Sequence, residues 1–338
     1  VTLMGWDRIR GHDAARQQLL AAVRRGRLAH AYLFVGPSGV GKHLFATELA
    51  KSLVCEKPTA PLTACDHCPA CVQVAAGTHP DVFIARKPED KHDLPVEAMR
   101  AFCGQLGLKP TRGARKVGVV EDADEFNDES ANCFLKTLEE PPPGSTLILL
   151  ASTTERQLPT ILSRCQVVRF RPLSPADLRA VLAGHQIVDP GRVEQLVRLA
   201  GGSPGQALAL AADAVWAFRQ SLVTAMTAAR PDPVGLAAMA MRFVEEAGKE
   251  SAAQRVRASL VVRLAMDVLQ AAMRAAVGVI VDGPDAPAAQ RLADRLGPDE
   301  LADRLDACTE ADRLIDRKVQ LVLVVESLAD RLGRPPAG

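Results

Sequence analysis

The sequence predicts an α/β P-loop domain built on a parallel sheet and carrying a zinc-binding loop, followed by a small helical domain and an all-α C-terminal domain. Three observations carry this. A glycine-rich loop ending in Lys42 directly follows a strand-like run, four cysteines cluster between Cys55 and Cys71, and strand signals stop at about Pro172. Up to that point, short β-branched runs (Leu33 to Val35, Val117 to Val120, Leu147 to Leu150, Val167 to Phe170) alternate with helical patterns and Gly/Pro punctuation. That alternation is the signature of a parallel sheet with crossover helices and assigns residues 1–172 to the first domain.

From 173 to 213 the pattern changes to short helices with clear start signals. Ser174 is followed by Pro175 and Asp177, and Ser203 by Pro204 and Gln206, the arrangement of an N-cap hydroxyl with proline in the first turn. Residues 214–338 are rich in Ala, Leu and Arg and are punctuated by Pro231, Pro233, Gly283, Pro284 and Pro298, which predicts a separate helical domain. Leu314, Val319, Leu321, Val324 and Leu328 read as one apolar stripe on a long final helix.

Composition bounds the function classes. The 338 residues, 48% of them apolar, suffice for two or three separately packed cores. Lys and Arg total 41 against 40 Asp and Glu, a formal charge of +1, so tight and independent binding to nucleic acid through phosphate neutralisation is not expected. One Tyr and two Trp beside nine Phe leave little for a base-stacking platform. No apolar run is long enough to cross a bilayer, and Val1 to Arg10 lack the apolar core of a signal peptide, so a cytoplasmic location is expected.

The first chemical signal is Gly36-Pro37-Ser38-Gly39-Val40-Gly41-Lys42-His43, placed after the strand Ala31 to Val35 and before a helix through Leu44, Leu49 and Leu53. Glycines let backbone N–H groups curl round an anion, the helix N-terminus adds its dipole, and Lys42 is placed to reach terminal phosphates of ATP or ADP. The last position departs from the motif. His43 stands where a Ser or Thr hydroxyl ligates Mg2+, and an imidazole does not replace a hard oxygen ligand. The expectation is vestigial or magnesium-poor nucleotide binding. A second signal is the apolar run Lys116 to Val120 ending in Glu121-Asp122. P-loop ATPases place a metal-holding Asp and a water-orienting Glu there; the reversed order moves each carboxylate by about 1.5 Å, enough to disturb in-line geometry. The alternative reading is of two solvated acids at a helix start.

Cys55, Cys65, Cys68 and Cys71 form the third signal. Four clustered thiolates make a closed, all-sulfur tetrahedral site suited to structural Zn2+, with no open position for water. An iron–sulfur cluster is the rival reading, but the bacterial cluster run requires a further Cys followed by Pro, which Val72-Gln73-Val74-Ala75 does not supply. His67 is a less favoured ligand. Cys103, Cys133, Cys165 and Cys308 are scattered and read as small buried hydrophobes. The basic stretch Lys109 to Lys116 reads as a solvated loop ahead of a strand.

The run Asn132-Cys133-Phe134-Leu135-Lys136-Thr137-Leu138-Glu139-Glu140-Pro141-Pro142, then Leu147 to Thr154, then Leu158 to Ser163-Arg164-Cys165, together with His30-Ala31-Tyr32-Leu33-Phe34, resembles the clamp-loader branch of the AAA+ ATPases over about half the chain. The resemblance implies a small helical lid at 173–213 and an oligomerising collar at 214–338. It makes Arg164 an arginine finger reaching a neighbouring subunit's ATP site and puts Thr153 at the sensor 1 position. A planar, permanently charged guanidinium suits charge spreading over a transferring phosphoryl group. The sensor 2 arginine of the family is absent, because Gly202-Ser203-Pro204-Gly205-Gln206-Ala207-Leu208 has Gly205 at that position. The four-cysteine insertion also occurs in that branch. Partners implied are gamma/tau-type ATPase subunits, a delta-type subunit and, through the complex, a sliding clamp and primer–template DNA. The expected role is a non-hydrolysing ring subunit of DNA polymerase III. An active gamma/tau-like ATPase and a zinc-bearing interaction protein on a P-loop scaffold are the alternatives.

Overall fold

The structure is a computed structural model and describes residues 5–88, 91, 93–113, 115–249 and 251–334. Val1 to Met4 of the signal-peptide reading, and Ala114 of the basic stretch, lie outside the described residues. In chain order the first part contains α1 (Asp13–Arg24), β1 (Ala31–Val35), α2 (Lys42–Val54), α3 (Pro69–Ala75), β2 (Val82–Ala85), α4 (Val96–Gly107), β3 (Lys116–Val120), α5 (Asp128–Glu139), β4 (Ser145–Ala151), α6 (Pro159–Leu162) and β5 (Gln166–Arg169). All strand pairs are parallel, in the order β2-β3-β4-β1-β5. Strands β1, β3 and β4 are buried at every position, as a sheet covered by helices on both faces requires.

Side-chain alternation divides the core into two layers. Tyr32 and Phe34 of β1 join Phe45 and Leu49 of α2 and Phe170 on one face. Ala31, Leu33 and Val35 join Met99 and Phe102 of α4 and Phe134 of α5 on the other. Helix α5 starts on a reciprocal cap: Ser130 N–H donates to Asn127 Oδ1 at 2.8 Å, and Asn127 N–H donates to Ser130 Oγ at 3.1 Å. Strand β2 is absent from the runs that sequence patterning picks out. It is a four-residue edge strand with only Ala85 fully buried, so its apolar signal is weak.

The remaining helices are α7 (Pro175–Gly184), α8 (Pro190–Leu199), α9 (Pro204–Ala211), α10 (Asp213–Thr227), α11 (Pro233–Glu245), α12 (Ser251–Ala276), α13 (Ala286–Asp316) and α14 (Leu321–Gly333). The start signals at α7 and α9 act as caps: Asp177 N–H donates to Ser174 Oγ at 3.1 Å and Gln206 N–H donates to Ser203 Oγ at 3.3 Å. Packing groups the chain into two compact units, Val1–Gln186 with Ala200–Ala207, and Ile187–Leu199 with Leu208–Gly338. The segment 173–213 is therefore shared between units: α7 buries Leu178 and Leu182 within the first, whereas α8 belongs to the second.

The second unit is wholly helical among its described residues. Its interior holds the Arg219 guanidinium, 3% exposed, against Asp285 Oδ2 at 2.5 Å and Asp267 Oδ2 at 3.2 Å. Phe218 stacks on Phe243 with ring centroids 4.0 Å apart. The expected stripe on one long final helix is corrected here. Leu314 belongs to α13, Lys318 adopts a left-handed φ of 61° that breaks the helix, and only Leu321, Val324 and Leu328 share α14. No described helix is long and apolar enough to cross a membrane.

Candidate phosphate-loop site and cysteine cluster

Strand β1 lies between β4 and β5, where the strand order reverses, and its carboxyl end opens into the loop Gly36 to Lys42. Ligand sites of open parallel sheets form at such switch points. Gly36 N–H donates to Ala151 O at 3.2 Å, tying the loop to the end of β4. No side chain fits at Gly36, because a Cβ there stands 2.3 Å from Phe170 O. Lys42 Nζ turns back onto the carbonyls of Gly36 and Pro37, 2.9 Å from the latter. Burial lowers the Lys42 pKa, opposed by Asp124 and Asp122.

The metal corner of the site is built differently from a magnesium cradle. His43 Nδ1 lies 2.7 Å from Glu121 Oε1, so the residues at the hydroxyl and strand-end acid positions bond directly to one another. Arg86, just past β2, also donates to Glu121 Oε1 at 3.2 Å. Burial raises the Glu121 pKa, but His43 and Arg86 outweigh it and hold the carboxyl below its usual range. Asp122 sits in the left-handed region at φ 54°, and burial together with Glu121 raises its pKa. Asp124 is committed elsewhere: its carboxylate accepts from Ser152 N–H at 2.6 Å and from Gln157 Nε2 at 2.7 Å. Thr153 follows the end of β4 and is exposed, while the neighbouring Thr154 Oγ1 donates to Glu155 Oε1 at 2.9 Å.

The start of α9 sits on the tip of the phosphate loop. Gly205 N–H donates to Gly39 O at 2.9 Å, and Ser203 Oγ donates to Ser38 O at 2.9 Å. A Cβ at Gly205 stands 2.9 Å from Gly39 Cα and 3.1 Å from Gly39 O. An arginine therefore cannot occupy this position without moving the loop or the helix.

Sequence patterning misses His12. It is 6% exposed, its Nε2 donates to Val40 O at 2.9 Å, and its ring meets Phe170 edge to face. Burial lowers its pKa, opposed by the Val40 carbonyl, Asp13 and Asp177. Arg86 and Glu139 are missed as well. Both act on residues distant in sequence, so no local spacing signals them.

Arg164 lies between α6 and β5. Its NH1 donates to Thr160 O at 3.0 Å and Ser163 Oγ at 3.1 Å, and its NH2 to Glu139 Oε1 at 2.7 Å. In the parallel sheet Tyr32 pairs with Gln166 and Val35 with Arg169, so Arg164 precedes the amino end of β5 whereas the phosphate loop follows the carboxyl end of β1. Six residues of near-extended chain separate Arg164 from Phe170 beside Gly36, on the order of 15 to 20 Å. The guanidinium and this chain's own phosphate loop occupy opposite rims of the sheet.

The four thiols Cys55, Cys65, Cys68 and Cys71 converge, all sulfurs lying within 4.8 Å of one another, with Cys55 to Cys68 and Cys65 to Cys71 both 4.0 Å. Four Zn–S bonds of about 2.3 Å in a tetrahedron place sulfurs about 3.8 Å apart, so the donor set fits zinc. Backbone N–H groups of Cys65, Cys68 and Cys71 donate to the sulfurs of Cys55, Cys65 and Cys68 at 3.3 to 3.4 Å. Burial disfavours ionisation of Cys68, but donation from the Cys71 and Glu56 backbone and from neighbouring thiols brings it down to about 6. Below the cluster, Lys51 Nζ bridges Glu48 at 2.9 Å and Asp66 at 2.5 Å. These cysteines would hold a closed structural metal whose contribution is to shape the loop.

The sheet order and the phosphate loop at the switch point define a P-loop domain of the AAA+ type. The profile described as "DNA polymerase III, delta subunit" matches residues 11–174. The chain is 32% identical over 302 residues to the DNA polymerase III subunit delta' of Escherichia coli, covering 88% of this chain and 87% of that protein. It is 40% identical over 182 residues to the Pseudomonas aeruginosa subunit delta', a match spanning 53% of this chain and 55% of that one. It is 32% identical over 206 residues to the subunit gamma/tau of Mycobacterium tuberculosis, covering 59% of this chain and 35% of that protein. The chain belongs to the family of DNA polymerase III delta' subunits.

Proposed function

We propose that this chain is the non-hydrolysing ring subunit of a clamp loader, lending Arg164 to the ATP site of a neighbouring gamma/tau-type subunit. The observation that carries the reading is the position of Arg164 on the sheet rim opposite its own phosphate loop. A finger so placed serves a site on another chain. The chain's own site supports the same reading: His43 and Glu121 satisfy each other where Mg2+ and its hydroxyl ligand belong, and Gly205 replaces a charged sensor with a backbone contact.

In this reading the ring also contains a delta-type subunit and loads a sliding clamp onto primer–template DNA during replication. Residues 173–213 serve as the lid and 214–338 as the collar that packs against sister subunits. Zn2+ held by Cys55, Cys65, Cys68 and Cys71 is architectural. Gly36 to His43, with Glu121, Asp122 and Thr153, are the remains of a nucleotide site that contributes no hydrolysis.

The test is ATP turnover by the isolated chain and by the reconstituted complex. The isolated chain is expected to turn over negligible ATP. Arg164→Ala in the complex is expected to slow hydrolysis at the site it faces by about 10^3- to 10^5-fold in single-turnover measurements. Robust hydrolysis by the isolated chain, or a complex indifferent to Arg164→Ala, overturns the proposal.

A further inference from the structure

The arginine finger is held by a residue that the family resemblance does not single out. Glu139 is the last residue of α5 and its side chain is 51% exposed. A carboxylate in the last turn of a helix meets the negative end of the helix dipole, so helix stability does not account for it. Its Oε1 lies 2.7 Å from NH2 of Arg164, 25 positions along the chain. The other two contacts of the guanidinium come from its own turn, Thr160 O and Ser163 Oγ, both through NH1.

These three contacts use three of the five N–H donors of a guanidinium and leave two for a phosphate. Without Glu139, the guanidinium plane is held through NH1 alone, by acceptors of its own turn, and loses its one tether to α5. We propose that Glu139 is a positioning residue that holds Arg164 in the orientation required at the neighbouring site. This rests on the reading of Arg164 as a trans-acting finger. Two Glu139 chemistries separate positioning from mere occupancy of space: glutamine keeps an acceptor oxygen at the same reach, whereas alanine removes it. A carboxylate that instead sequestered the finger would slow the reaction, and its removal would speed turnover.

The experiment compares complete reconstituted complexes carrying Glu139→Ala, Glu139→Gln, Arg164→Ala, and Glu139→Ala with Arg164→Ala, each measured for kcat and KM of ATP hydrolysis. Glu139→Ala is expected to lower kcat at the neighbouring site by about 10- to 100-fold with little change in KM, the size of effect expected when a reacting group is misplaced by about 1 Å. Glu139→Gln is expected to recover most of that loss. The double variant is expected to equal Arg164→Ala, because Glu139 acts only through the finger. A complex crippled by Arg164→Ala yet unchanged or accelerated by Glu139→Ala overturns this inference and leaves the finger in place. So does a Glu139→Ala loss that persists in full beside Arg164→Ala. A complex indifferent to Arg164→Ala removes the finger and the inference together.

Discussion

His12 couples the first helix to the phosphate loop through one ring nitrogen. Its burial against Phe170 favours the neutral imidazole and outweighs the opposing pull of the Val40 carbonyl, Asp13 and Asp177, so its folded-state pKa lies below 6.5. The unfolded chain then binds more protons than the folded one once pH falls below about 6.5. The stability contributed by His12 is complete above that pH and is lost as pH falls toward the depressed folded value, at up to about 1.4 kcal/mol per pH unit. Denaturant titrations between pH 7 and pH 5 should show this slope, and His12→Gln should flatten it, since the amide keeps an N–H donor for Val40 O without titrating. The sequence signals His43 and Glu121 separately, each as a departure from a motif. That the two departures bond to each other depends on where α2 begins and β3 ends in space, which no spacing along the chain encodes.

At the scale of elements, the loop between α2 and α3 is the clearest case of structure written in spacing. Cys65, Cys68 and Cys71 recur at intervals that wrap a chain round one ion, and Cys55 at the end of α2 completes the set. The loop contributes few large apolar residues to a core, so in the zinc reading proposed above its order rests on the metal. Metal analysis is expected to find one zinc per chain. Cys68→Ser is expected to remove it, to lower stability by more than about 3 kcal/mol, and to open residues 55–71 to protease. A fully ordered loop in metal-free Cys68→Ser protein contradicts this. Elsewhere the element signals fail for definable reasons. β2 is short and half-exposed, and the last two helices run together in the sequence because both carry apolar residues at helical spacing while the break falls on Lys318, a residue with no breaker signature.

Across the whole molecule, charge and topology set what the chain does alone and what it does in company. Its net charge of +1 supplies no overall cationic excess for neutralising phosphates. Isolated chain at about 0.15 M salt is therefore expected to leave a primer–template duplex unbound at micromolar concentration in an equilibrium titration, where tight binding would argue for a DNA role of its own.

Sequence alone determined the strand–loop–helix of the phosphate site, the cysteine cluster, the caps of α7 and α9 and the kinship with clamp-loader subunits. The first three are carried by residues a few positions apart, whose geometry follows from local backbone rules, and the kinship by short runs of residue identity spread over about half the chain. Tertiary structure decided the rest. Strand order placed Arg164 and the phosphate loop on opposite rims, the packing of α9 put Ser203 against Ser38 from 165 positions away, and the ends of β2 and β3 brought Arg86 to Glu121. Those contacts join chain segments whose proximity exists only once the sheet has closed its register, which is why they are invisible until the fold is in view.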